Sequence, residues 1–265
     1  MLAEQAAEAG DPLALSRLLF MSNLGELLDR RGRVLSGLNR IRQARKVDPL
    51  ARAQATFLAA AKTEELGQLG AAQEIRKPLG LADHFWVMGP FDNSAGGGHR
   101  TPYDPERALD LDAEVLGKDR RLKWRSAGDA AGLGTLPISS LMHPSKDSTA
   151  YALVAIESPM EQAAAVRCGA TDAVKLFFNG QEIWATEGNR RAGFDQDAAP
   201  VWLPKGRSTL LVKSSWLGRS ARLYLRLTAP DGSPLPGVRF LGEETELRQA
   251  IAEARACLLY TSRCV

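Results

Sequence analysis

Five side chains carry the polar and aromatic chemistry that a binding site on this chain would use: Asp92, Asn93, Asp172, Trp184 and Trp202. Asp92 and Asn93 stand just ahead of Gly96-Gly97-Gly98. Carboxylate, amide and carbonyl oxygens on a loop are the donor set of a hard cation or a polar ligand. The same two residue types also end strands by bonding their own backbone, which is their commoner use. Asp172, ahead of an expected strand, admits the same two readings, and the turn is again preferred. Trp184 and Trp202, with Trp216 and Tyr224, offer flat faces for a stacked sugar ring, or fill a core, which is the more frequent fate of such side chains.

Catalytic constellations find less support. His84, His99 and His143 are far apart, with no pair at metal-ligand spacing, and are read as solvated surface residues. The run Gly96-Gly-Gly-His-Arg100 lacks the Lys-Ser/Thr of a phosphate loop. Ser139, Ser140, Ser214 and Ser215 lack a nucleophile elbow. Asp110 and Asp112 lie in a loop and are read as solvated. A hydrolase would need paired carboxylates across a cleft, and no sign of them is present. The expectation is a chain without catalytic residues, metal site or cofactor.

Composition sets outer bounds. The 265 residues are 45% hydrophobic and 25% charged, as in an ordinary globular protein, and suffice for one large domain or two modest ones. The net charge of +3 is small for the length and is read as dispersed, so nucleic acid is not an expected partner. No stretch approaches the ~20 apolar residues of a membrane helix. The N-terminus has acidic residues where a signal peptide has basic ones. A true start at Met1 would imply the cytoplasm, and a truncated N-terminus the envelope or secretion. Compartment therefore stays open. Cys168, in an alternating apolar run, is read as a small buried filler.

These residues must be positioned by two kinds of element. Residues 1–82 read as helices. Gly10-Asp-Pro-Leu13 and Val47-Asp-Pro-Leu50 both place Asp as N-cap and Pro at the first helical position. Leu15, Leu18, Leu19, Leu24, Leu27 and Leu28 form one stripe at helical spacing; Leu50, Ala53, Phe57, Leu58 and Ala61 form another. A further helix is expected over 33–46 and a short one after Gly70. The two caps recur near the ~34-residue spacing of a tetratricopeptide-like pair, although a plain bundle with similar caps is an open alternative.

From Phe85 the pattern turns β, with strands expected at 85–89, 121–125, 150–158, 162–168, 173–178, 182–185, 200–203, 208–214 and 222–228. Leu223, Leu225 and Leu227 alternate with Arg222, Tyr224 and Arg226, the pattern of a half-buried antiparallel strand. Asn179-Gly180 supplies the two positive-φ residues of a type I′ hairpin. Residues 92–115 read as a long loop, and a helix is expected over 243–256.

The segment from Phe85 to Leu227 carries a series of motifs: Phe85-Trp-Val-Met-Gly-Pro-Phe-Asp-Asn93 with the glycine run after it, Tyr103-Asp-Pro-Glu106, Lys123-Trp-Arg125, Gly169-Ala-Thr-Asp172, Leu176-Phe-Phe-Asn-Gly180 and Leu203-Pro-Lys-Gly206. In order and spacing they resemble the galactose-binding-like modules of multidomain bacterial proteins. The resemblance implies a jelly-roll β-sandwich with an architectural or carbohydrate-binding role, and a parent that carries a transglutaminase-like domain further along. Ala170-Thr171 stands where a second acidic residue often occurs, which weakens any bound calcium at that turn.

The last nine residues, Cys257-Leu-Leu-Tyr-Thr-Ser-Arg-Cys-Val265, resemble a translated sequencing adapter. The resulting plan is α+β by segregation. It comprises 1–82 helical and tetratricopeptide-like, 83–236 an antiparallel sandwich, 237–256 the start of a further helical segment, and 257–265 a non-native tail. The expected function is a non-catalytic structural or interaction module of a larger bacterial protein, or alternatively a carbohydrate-binding module that targets an attached enzyme. Its expected partners are other domains of the parent or other proteins, with carbohydrate as the alternative.

Overall fold

The computed structural model describes residues 20, 23, 31–128 and 135–261, with side chains given up to Ala256. The chain divides into two compact units, Met1–Leu81 with Thr228–Pro234, and Ala82–Leu227 with Leu235–Val265.

In the first unit, helices α1 (Arg31–Gln43), α2 (Pro49–Glu65) and α3 (Leu69–Arg76) follow in order. Asp48 caps α2 as its spacing predicts, with Oδ1 accepting from the amides of Leu50 at 2.9 Å and Ala51 at 3.2 Å. Ala51, Ala55 and Ala59 recur at helical spacing on α2 and pack against Leu38 and Ile41 of α1. Such small side chains allow two helices to approach closely. The buried guanidinium of Arg76 pairs with Glu64 at 2.7 Å and ties α3 to α2. The expected cap at 11–13 and the leucine stripe from Leu15 to Leu28 lie outside the described residues.

The second unit is an antiparallel β-sandwich. Its large sheet has the order β4 (Arg125–Ser126), β1 (Trp86–Asp92), β5 (Ser148–Ser158), β10 (Gly206–Trp216), β7 (Ala173–Phe178), β8 (Gln181–Thr186). A short β12 (Arg239–Leu241) lies against β5 beyond the end of β1. The small sheet has the order β11 (Leu223–Thr228), β6 (Gln162–Ala170), β9 (Asp197–Leu203). A two-stranded hairpin, β2 (Val115–Leu116) with β3 (Arg121–Leu122), stands apart from both. The Asn179-Gly180 turn joins β7 to β8 with φ of 47° and 83°, as a type I′ hairpin requires.

Alternation decides what each strand buries. Ala152, Val154 and Ile156 of β5 share a core with Leu176, Leu210 and Val212, and with Val166, Cys168, Leu203 and Leu225 of the small sheet. On the opposite face, Tyr151, Leu153, Phe177 and Leu211 meet Leu247, Ala250 and Ile251 of helix α5 (Glu244–Thr261), with Phe91 and Trp124 beside them. Each fully buried aliphatic side chain contributes roughly 1.5–3 kcal/mol. Because both faces are covered, β5 is buried at ten of its eleven positions, and its central residues 150–156 form an unbroken run of apolar and aromatic side chains.

Three expectations change. Residues 237–256 are not helical throughout: β12 comes first, and α5 is the third layer of the sandwich unit. The strand expected over 121–125 is two short strands, β3 and β4, separated by Lys123-Trp124. The long loop contains a 3₁₀ segment, Ser94–His99, and the one-turn helix α4 (Asp104–Arg107).

Candidate functional site

Strand register brings Asp92, Ser148, Trp216, Ala173 and Thr186 to one end of the large sheet. Asp92 and Asn93 sit at this rim. The Asp92 carboxylate accepts from the Ser94 amide at 3.3 Å and the Ser94 hydroxyl at 2.8 Å, which is the expected turn. Those bonds, with Lys118 Nζ 3.3 Å away, hold its pKa below the usual carboxylate range. Asn93 is buried and reaches across the rim, Nδ2 donating to the Trp216 carbonyl at 3.0 Å. Asp172 occupies the left-handed turn between β6 and β7, φ 57°, and its Oδ2 accepts from the Leu217 amide at 3.2 Å. Asn93 and Asp172 therefore grip successive residues at the end of β10.

The two tryptophans are not part of this cluster. Trp184 lies on the edge strand β8 and is 38% exposed. Trp202 lies on the outward face of β9, 62% exposed, opposite Ala163 at the end of β6 remote from Asp172. Trp216 is fully buried, with Nε1 donating to the Ser145 carbonyl at 2.6 Å.

One histidine departs from the expected solvated state. His84 and His143 are exposed, but His99 is buried under the glycine-rich segment, its Nε2 3.8 Å from Glu187 Oε1. Desolvation pushes its pKa down against the pull of Glu187, which favours the neutral ring. Gly98 makes the close packing possible, since a Cβ there would lie 2.2 Å from the Asp92 carbonyl oxygen. Arg100 clamps Glu187 with two bonds of 3.1 and 2.8 Å.

Behind the rim lies an ionic centre that sequence reasoning missed. Lys213, in the middle of β10, is fully buried; its Nζ donates to Glu106 Oε1 and to the Thr101 carbonyl, both at 2.6 Å. The Tyr151 hydroxyl donates to the same Glu106 oxygen. The ammonium sits 5.3 Å from the ring centre of Tyr103 and 5.8 Å from that of Tyr151, and Tyr103 stacks on Phe91. Burial lowers the Lys213 pKa against the pull of Glu106, and raises that of Tyr151. The network pins residues 101–106 to the sheet. Leu211, Lys213 and Ser215 alternate with an apolar face, so by pattern alone Lys213 belonged to solvent.

A second missed feature lies beside β1. Lys118-Asp-Arg-Arg-Leu-Lys-Trp-Arg125 places five cations in eight residues, a concentration that the whole-chain charge of +3 conceals. Residues 120–125 of this run, with Gly89, Pro90, Glu114 and His143, line a cleft of about 490 Å³. Among the described residues no group of three or more His, Cys, Asp or Glu is placed to hold a metal ion.

No family model and no curated protein matches the sequence. Similar solved structures include an anti-sigma factor domain-containing protein (13% identity, TM-score 0.29, 35% of each chain covered). Others are the PA14 domain of the MpAFP antifreeze protein (13%, TM-score 0.30, covering 37% of this chain and 54% of that one) and a family 35 carbohydrate binding module from an environmental isolate (10%, TM-score 0.27, 36% and 72%). The match spans about a third to a half of the first two proteins' length. Likenesses at these TM-scores say nothing of what this chain binds.

Proposed function

We propose that the sandwich is a non-catalytic structural and interaction module of a larger bacterial protein. The observation that supports it most is the fate of the groups able to do chemistry. Lys213 and Tyr151 both donate to Glu106, Asp92 is held by Ser94 and Lys118, and Asn93 and Asp172 close the rim on β10. A general acid, base or nucleophile must keep an atom within reach of its substrate, whereas these atoms are engaged within the fold. The test is the full chain against a panel of chromogenic glycosides, esters and phosphate esters. No turnover above blank is the expected result, and turnover that disappears in Glu106→Gln would overturn the reading. The galactose-binding-like assignment of 83–236, the tetratricopeptide-like assignment of 1–82, a transglutaminase-like domain further along and the adapter origin of 257–265 belong to the same proposal. Resequencing the source gene tests them together.

A second reading, carbohydrate binding, draws support from Trp202, an indole 62% exposed on the outer face of the small sheet. Saturable binding on a glycan array, lost in Trp202→Ala, would favour it; an empty array would retire it.

A further inference from the structure

The cleft beside β1 is organised in a way that identifies what it would take. Arg121, Lys123 and Arg125 are exposed, while Leu122 and Trp124 between them are buried. Exposure alternates across β3, the Lys123-Trp124 link and the start of β4, so the three cations share the solvent side of this segment. Arg120 and Arg125 each donate one guanidinium nitrogen to a backbone carbonyl, of His143 and Leu141 respectively, which fixes their heads at the wall. Among the described residues neither has a carboxylate partner. The chain's own Glu114 carboxylate stands 3.9 Å from Arg121 and 3.7 Å from Lys123, beyond hydrogen-bonding distance of both. A carboxylate is thus already accommodated between those two cations without satisfying either. Leu116 is paired in register with Arg121, so both project from the same face of the hairpin, and Leu116 is 78% exposed.

We propose that this cleft is a docking site for an extended acidic segment of a partner protein, with carboxylates at alternate positions and an apolar residue that covers Leu116. Alternate side chains of an extended peptide project to one side, as these three cations do, and planar guanidinium groups match carboxylates with paired bonds. Trp124 is only 7% exposed and presents no face on which a base or sugar ring could stack, and the net charge of +3 adds no wider positive field. The crowding of like charge agrees with this, since burial and then Arg120 lower the pKa of Arg125.

The inference goes beyond the non-catalytic reading, and its failure would leave that reading standing, because the turnover assay does not involve the cleft. The test uses the full chain and fluorescence anisotropy with two labelled peptides of one composition: alternating Glu and Thr ending in Leu-Val, and an isomer with its Glu residues in one block. The alternating peptide binds about tenfold tighter than the block isomer, and its affinity falls with added salt. Arg121→Gln with Lys123→Gln weakens it about tenfold, Glu114→Gln strengthens it, and Arg219→Gln with Arg222→Gln leaves it unchanged. Equal affinity for the two isomers would overturn the proposal, as would an unaffected Arg121/Lys123 variant. Tighter binding of polygalacturonate or of a single-stranded oligonucleotide would overturn it as well. The isomer comparison and the Glu114 arm do not depend on how the double variant folds.

Discussion

The two faces of the large sheet are both buried, but by different means. The face toward the small sheet is dry: Ala152, Val154, Leu176, Leu210 and Val212 meet aliphatic partners, with Cys168 among them. The face toward α5 and residues 101–124 has an apolar half under the helix and an ionic half under the loop, where Lys213, Glu106 and Tyr151 share one oxygen. A helix covers a sheet with side chains alone, because its backbone bonds are internal. A loop brings unpaired carbonyls and amides with it, and they must find partners on the sheet. Lys213 meets that need by donating to the Thr101 carbonyl.

The comparison can be broken first at Glu106. Glu106→Ala leaves a fully buried ammonium without its counter-ion and should cost about 3–5 kcal/mol in urea unfolding. If the charges serve position and not stability, Glu106→Leu combined with Lys213→Met should recover much of that loss. On the dry face, Leu176→Ala should cost about 2–5 kcal/mol, through lost burial and the cavity left behind.

A smaller difference separates the faces by pH. His99 has a folded pKa below its unfolded value, so the folded state binds fewer protons once the pH drops below about 6.5. Stability is fully present above that pH and is lost as the pH falls through the folded pKa. The melting temperature should therefore fall between pH 7 and pH 5, and the slope should shrink in His99→Gln. The same slope in the variant would place the titration elsewhere. Smallest is Cys168→Ala, about 1 kcal/mol by denaturation with no effect on the pH slope.

Much of the dry face was legible in the amino-acid order. Every expected strand is present in place apart from the split at Lys123-Trp124, and the Asn179-Gly180 turn and the Asp48 cap formed where their spacing put them. Trp202 departs from the core packing preferred for it on residue type, because alternation along β9 turns it outward. The rim was half legible. Asp92 makes its local turn, but Asn93 and Asp172 reach Trp216 and Leu217, which are distant in sequence.

What the sequence determined by itself were the local events, namely caps, turns and the period of two that assigns a side chain to one face. Each depends on neighbours within a few residues. Only the tertiary structure decided what lies over each face. Lys213 reads as a solvent residue until residues 101–106 fold over it, and His99 as a surface one until Gly98 lets the loop close. The cations of 118–125 read as one more polar stretch until the fold buries Leu122 and Trp124 and leaves Arg121, Lys123 and Arg125 exposed beside the cleft. Burial depends on partners brought from far along the chain, and periodicity carries no record of them.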